Sequence, residues 1–150
     1  MILLEKYSGE LKIKTVEGKR YIWDFIRKKW LVLQPEEFVR QIFILYLIEQ
    51  NYPKGKIAVE KKTGQSKYSR YDLLVHDELT QPFLLAECKS FDKQIKNDID
   101  IQLGSYNLGV KAPYICVTNG KTTLFSKMNP ATGYYEPIES LPEYPNKTND

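Results

Sequence analysis

The chain has 150 residues, 42% hydrophobic and 27% charged, with a net charge of +3. That length predicts one domain with enough apolar material for a core, and the slight basic excess permits a polyanionic partner without demanding one. One histidine and two cysteines, with no CxxC or HxxxH spacing, exclude a zinc site. Cys88 and Cys116 lie inside apolar runs and read as buried thiols of a reducing compartment. The start, Met1 to Lys6, is too short and too soon charged for a signal peptide, and no apolar run approaches the ~20 residues that span a membrane. A cytoplasmic protein with no membrane partner is expected.

Residues 1–34 read as an extension packed on the core, with short extended pieces at 11–15, 21–23 and 30–33. The cluster Arg27-Lys28-Lys29 is flanked by Trp23 and Trp30, a combination that suits a nucleic-acid backbone. A solvated basic bend is the plainer reading of so short a run. Gln34-Pro35-Glu36-Glu37 opens a helix, with proline in the first turn and acids at the positive end of the dipole. Helix 35–50 is apolar nearly all round, so it packs on more than one side. Pro53 prevents its continuation.

Ile57 to Glu60 reads as a first strand, and a basic polar link with Gly64 follows. Two apolar strands come next, Arg70 to His76 and Phe83 to Lys89, joined by a turn containing Asp77, Glu78, Thr80, Gln81 and Pro82. Ile95, Ile99, Gln102 and Tyr106 fall at helical spacing and predict a second helix over 93–109. Tyr114 to Thr118 is a β-branched strand, and Asn119-Gly120 turns it into a hairpin with 122–126. From Asn129 onward, Pro130, Gly133, Pro137, Pro142 and Pro145 predict an irregular tail over 129–150. The core is then 35–128, an α/β arrangement with a mixed central sheet and two helices packed on it.

Three charges stand where buried strands should carry none. Asp72 lies near the start of one strand, and Glu87 and Lys89 close the next. Residues i and i+2 of a strand share a face, so Glu87 and Lys89 project together while Cys88 points away. Two carboxylates and a lysine at sheet ends can hold a hard divalent cation and an activated water. On these residues alone, a hairpin whose charges fray into solvent is an equal reading. No phosphate loop, GxGxxG or GxSxG elbow is present, and His76 sits in an apolar strand where a packed role suits it. Paired carboxylates of the glycosidase kind would leave Lys89 without a role. Phosphodiester hydrolysis uses all three groups.

At this point the sequence resembles the PD-(D/E)xK nuclease superfamily. It is more closely similar to small proteins related to the N-terminal nuclease domain of type I restriction R subunits. The resemblance runs from about Tyr21 to Phe125. It rests on Asp24, Arg27 to Trp30, Pro35 to Gln41, Tyr52-Pro53, Ile57 to Glu60, Arg70-Tyr71-Asp72, Leu85 to Lys89, Gln102 with Tyr106-Asn107, and Val117 to Gly120. Tyr71 stands where the name motif has proline.

The resemblance implies a restriction-endonuclease-like core in the order αβββαβ and a Mg²⁺-dependent endonuclease, with Mn²⁺ as a substitute, acting on DNA in a restriction or repair system. It implies Asp72, Glu87 and the Cys88 carbonyl as metal ligands and Lys89 as the catalytic lysine. Gln102 and Tyr106 would position nucleic acid or the water of the site. Glu37, with Glu36 as the alternative register, would be the helix acid facing it. Arg40 and Arg70, with Lys28 and Lys29, are the candidate phosphate contacts, surface ion pairing being the ordinary alternative for each arginine. Glu60 either joins the site or pairs with a lysine. Motor or specificity subunits are expected partners, because the chain has no phosphate loop. A homodimer is expected where both strands are cut. The rival from another class is a non-catalytic nucleic-acid-binding or assembly module that keeps the fold.

Overall fold

The computed structural model describes residues 4–59, 73–95 and 111–145. After a 3-10 segment at Leu4–Glu10 come β1 (Ile13–Val16), β2 (Lys19–Asp24) and β3 (Lys29–Val32), then helix α1 (Pro35–Glu49). β4 (Ile57–Val59), β5 (Leu73–His76), β6 (Pro82–Cys88), β7 (Tyr114–Thr118), β8 (Thr123–Met128) and β9 (Tyr135–Ile138) follow. β1 to β3 form an antiparallel meander, and β4 to β9 form a six-stranded sheet in sequential order. Within that sheet only the β6–β7 pair is parallel. The expected mixed α/β architecture is therefore present. No helix among the described residues is long and apolar enough to cross a membrane.

The three extended pieces near the N-terminus pair into one sheet because Glu17 and Gly18 both take positive φ, 51° and 78°. Such residues make the two-residue turn whose twist matches paired strands. β2 returns through a tight bend at Asp24–Lys28 into β3, with Trp23 opposite Trp30.

Helix α1 is the packing centre. Val39, Ile42, Phe43, Ile44 and Leu47 are fully buried, as its nearly continuous apolar character predicts. It meets Leu73, Val75, Leu84, Ala86 and Cys88 of the large sheet in one core cluster, which also takes in Leu4 and Tyr7 of the N-terminal segment. The opposite face of the sheet carries a smaller cluster of Leu74, Leu85, Ala112, Ile115 and Val117, with Ile95 packed against it.

Two expectations are corrected. Residues 135–138 form β9 rather than part of an irregular tail, pairing with β8 from Phe125↔Ile138 to Met128↔Tyr135. Pro137 lies within that strand, and a proline is tolerated there because β9 is the sheet's edge. The following segment is tied down by Tyr144, whose hydroxyl donates to the His76 carbonyl at 2.8 Å, and by Tyr52, which donates to the Pro142 carbonyl at 2.6 Å. The second correction concerns the start of the predicted second helix. Lys93, Gln94 and Ile95 are bend and coil, not helix. The Lys93 N–H instead bonds the Ser90 carbonyl, closing a turn. The remainder of that predicted helix lies outside the described residues.

Candidate active site

The hairpin of β5 and β6 builds the site from below. Its turn is held by Asp77, whose carboxylate accepts the Leu79 and Gln81 N–H groups at 2.9 Å each. The register runs Leu73↔Ala86, Leu74↔Leu85 and Val75↔Leu84, then slips at a bulge after Val75. The bulge lets Phe83 and Leu84 both reach the α1 cluster. β6 then lies parallel to β7, with Glu87 opposite Val117 and Cys88 opposite Thr118. The Lys89 N–H donates to the Thr118 carbonyl at 2.8 Å, so the ladder extends one residue past the strand.

That ladder fixes the sides. Cys88 is buried on the α1 side with Ala86 and Leu84. Glu87 and Lys89 share the other side of the pleat, with Leu85, and both are half-buried. Val117, opposite Glu87, belongs to the smaller cluster of that face. Asp72 lies outside the described residues. It directly precedes Leu73, whose partner Ala86 directly precedes Glu87. Arg70, Gln102, Tyr106 and Glu60 lie outside the described residues too.

The loop after Lys89 is anchored by a residue with no part in the predicted site. Asn119 is buried, and its side-chain amide donates to the Lys93 carbonyl at 2.8 Å. Its amide oxygen accepts the Lys121 and Thr122 N–H groups at 2.9 and 2.7 Å. Beside it, Gly120 has φ +90° and room for no Cβ, which would come within 2.5 Å of the Phe91 ring. Phe91 packs on Phe38 of α1, ring centroids 5.1 Å apart. The Asn-Gly turn thus clamps the segment leaving Lys89 against the helix. The sequence signal is the Asn-Gly pair itself, which turn chemistry and the family resemblance both pick out without indicating the clamp. Asn119→Ala removes all three bonds and is expected to cost about 2 kcal/mol in urea unfolding. An unchanged midpoint would show that the clamp contributes nothing.

Glu37 stands in the first turn of α1, and Glu36 beside it is exposed. Glu37 is ion-paired with Arg40, one turn on. Its second oxygen, Oε2, is buried without a hydrogen-bond partner among the described residues. Arg40 is 7% exposed, so the structure does not present it to a surface. No ion pair joins Glu37 to Lys89 among the described residues, and α1 covers the sheet face opposite the one bearing Glu87 and Lys89. Gln41, at the end of the same motif, accepts the Phe25 N–H at 3.2 Å and ties the β2–β3 bend to the helix. Lys28 and Lys29 lie on that bend, Lys29 exposed at the start of β3. Arg27 is instead bound to Asp24, its Nε donating to the carboxylate at 2.7 Å.

The donor types at the end of β6, a carboxylate and backbone carbonyls, are hard oxygens of the kind Mg²⁺ takes. Among the described residues no three His, Cys, Asp or Glu side chains group to hold a metal. Cys116 is no candidate ligand or nucleophile, because burial pushes its thiol well above the ordinary range and keeps it neutral.

Comparison with curated proteins gives no match. The family described as type I restriction enzyme R protein N terminus matches residues 35–142. That span takes in α1 and all six strands of the large sheet, including the β6 end with Glu87 and Lys89, and leaves β1 to β3 outside. On that match the chain belongs to the family of the type I restriction enzyme R protein N terminus.

Proposed function

We propose that the chain is a Mg²⁺-dependent nuclease domain that hydrolyses DNA phosphodiester bonds within a restriction system. The observation that carries this reading is the end of β6, where Glu87 and Lys89 share one side of the pleat in a chain of a restriction-enzyme family. Asp72, Glu87 and the Cys88 carbonyl would hold the ion. Once bound there, the ion would supply a Lewis acid for the phosphoryl group and a more acidic water. Lys89 orients the attacking water and stabilises the negative charge that develops on the phosphate. Gln102 and Tyr106 position the DNA strand. Glu37, paired with Arg40 on the α1 side of the sheet, is given no part in this reading. Motor and specificity subunits are the partners this family suggests, and cutting both strands calls for two copies of the site.

Calorimetric titration of Mn²⁺ or Mg²⁺ into the protein tests the reading. Saturable binding is expected, weakened at least tenfold by Glu87→Gln, together with divalent-dependent cleavage of DNA. Retained DNA affinity with no divalent binding would instead establish a non-catalytic DNA-binding module.

A further inference from the structure

The small sheet of β1 to β3 lies outside the family match, and its two faces differ in chemistry. On one face Ile22 and Asp24 are fully buried. Register places Lys14, Lys19, Tyr21, Trp23 and Trp30 on the other, with Val16 and Val32 at its margins. Solvent reaches this face: Lys14 and Lys19 are exposed, Trp30 is 36% exposed and Val16 47%, with Tyr21 and Trp23 half-buried between them. No strand position on it carries an acid; Glu17 sits in the turn at its end. Residues 11–30 hold seven lysines and arginines against two acids, a net +5, whereas the whole chain is +3. The rest of the chain is net negative, and of the cations on the three strands Lys14 and Lys19 stand on the aromatic face, Arg20 and Lys29 on the other.

The aromatic rings lie among the cations. Trp23 and Trp30 meet edge to face, centroids 5.3 Å apart. The Lys14 ammonium sits 4.3 Å from the Trp30 centroid. Tyr21 and Trp23 are two residues apart on β2, about 7 Å along the strand. A polyanion alone would need only the lysines. Rings held beside lysines on one sheet face match a ligand with negative charges and planar faces in alternation. Single-stranded nucleic acid has that chemistry, because its bases stack on aromatic side chains while its phosphates meet cations. A duplex hides the base faces within its own stack.

We infer that the outer face of the β1–β3 sheet binds single-stranded DNA, stacking bases on Trp30, Trp23 and Tyr21 and neutralising phosphates with Lys14 and Lys19. A base that stacks on Trp30 displaces the Lys14 ammonium from the ring to a neighbouring phosphate. The choice of single strand over duplex rests on the sheet. The choice of DNA over RNA rests on the function proposed above.

Trp23 and Trp30 are the only tryptophans of the chain, so their emission reports on this face. A 20-residue oligothymidylate is titrated into the full chain in EDTA, where no cleavage intervenes and the two proposals fail separately. Saturable quenching is expected, with affinity falling as salt rises. The double substitution Lys14→Glu and Lys19→Glu is expected to weaken binding at least tenfold. Both lysines are exposed, and the circular dichroism melt of the variant checks that it folds. Absence of quenching, or a variant that binds like the parent, overturns the inference. So does equal affinity for a duplex of the same length or for an oligouridylate. Phosphatidylserine vesicles that blue-shift the emission where the oligonucleotide does nothing would make the face a membrane surface instead.

Discussion

Lys89→Ala is expected to lower metal-dependent DNA cleavage at least 100-fold while leaving the melting temperature within about 1 °C of the parent. The two halves of this expectation have separate physical grounds. Stability is spared because the residue contributes to the fold through its backbone. Its N–H bonds the Thr118 carbonyl at 2.8 Å, and alanine makes the same bond. The side chain is half-buried and has no ion-pair partner among the described residues. Substitutions of this kind usually change stability by less than about 0.5 kcal/mol. Activity is expected to fall because, in the proposed mechanism, the Lys89 ammonium would face the phosphate and its attraction would strengthen as charge builds there; removing one such group typically costs about 3 kcal/mol of barrier. Lys89→Arg keeps the charge but replaces the point-like ammonium with a planar fork, so it is expected to restore less than a tenth of the lost rate. An alanine variant that cleaves within threefold of the parent would remove Lys89 from the chemistry.

The sheet that positions this lysine was legible because its strands are short apolar runs with turn residues between them. The β5–β6 pairing followed from two such runs and the turn chemistry around Asp77, and helix α1 from Pro35 and the two acids after it. β9 was not legible, since a proline-rich stretch reads as irregular unless one knows that its strand lies on an edge, a fact of topology. The meander of β1 to β3 was seen only as unpaired pieces. The turn that joins its first hairpin uses Glu17 at positive φ, a conformation glutamate rarely signals. In the candidate site, the shared side of Glu87 and Lys89 follows from strand periodicity. The placement of Arg40 does not. A basic residue three positions after an acid can reach outward or pair within its own helix, and burial decides between them. The clamping role of Asn119 is not legible, because a turn residue and a clamp for a neighbouring loop have the same sequence.

Asp24→Ala is expected to destabilise the protein by about 3 kcal/mol, roughly 10 °C in melting temperature for a chain of this size. Asp24 is fully buried and organises the bend between β2 and β3. One carboxylate oxygen accepts the Ile26 and Arg27 N–H groups at 2.8 and 3.0 Å, and the other accepts the Arg27 side chain at 2.7 Å. Alanine leaves two backbone donors and a guanidinium without their acceptor. The Asp24→Asn substitution keeps the first oxygen but turns an amide donor toward Arg27, so a loss of about half that size is expected. The pH dependence has a definite sign. Burial alone would raise the Asp24 carboxyl, but the hydrogen bonds from Arg27 and Ile26 and the charge of Arg27 outweigh it, and the group titrates below its ordinary value. A depressed folded pKa contributes stability that is fully present above the unfolded value of about 3.9 and is lost as pH falls through the folded value. The gap between parent and Asp24→Asn should therefore stay constant from neutral pH down to about 5 and close in stronger acid. Melting curves of both proteins between about pH 7 and 2.5 measure it. A gap that persists unchanged into acid, or an asparagine variant as stable as the parent at neutral pH, would mean that the carboxylate's charge does not hold the bend. In that case the tie from Gln41 to Phe25 would be what keeps the small sheet docked on α1.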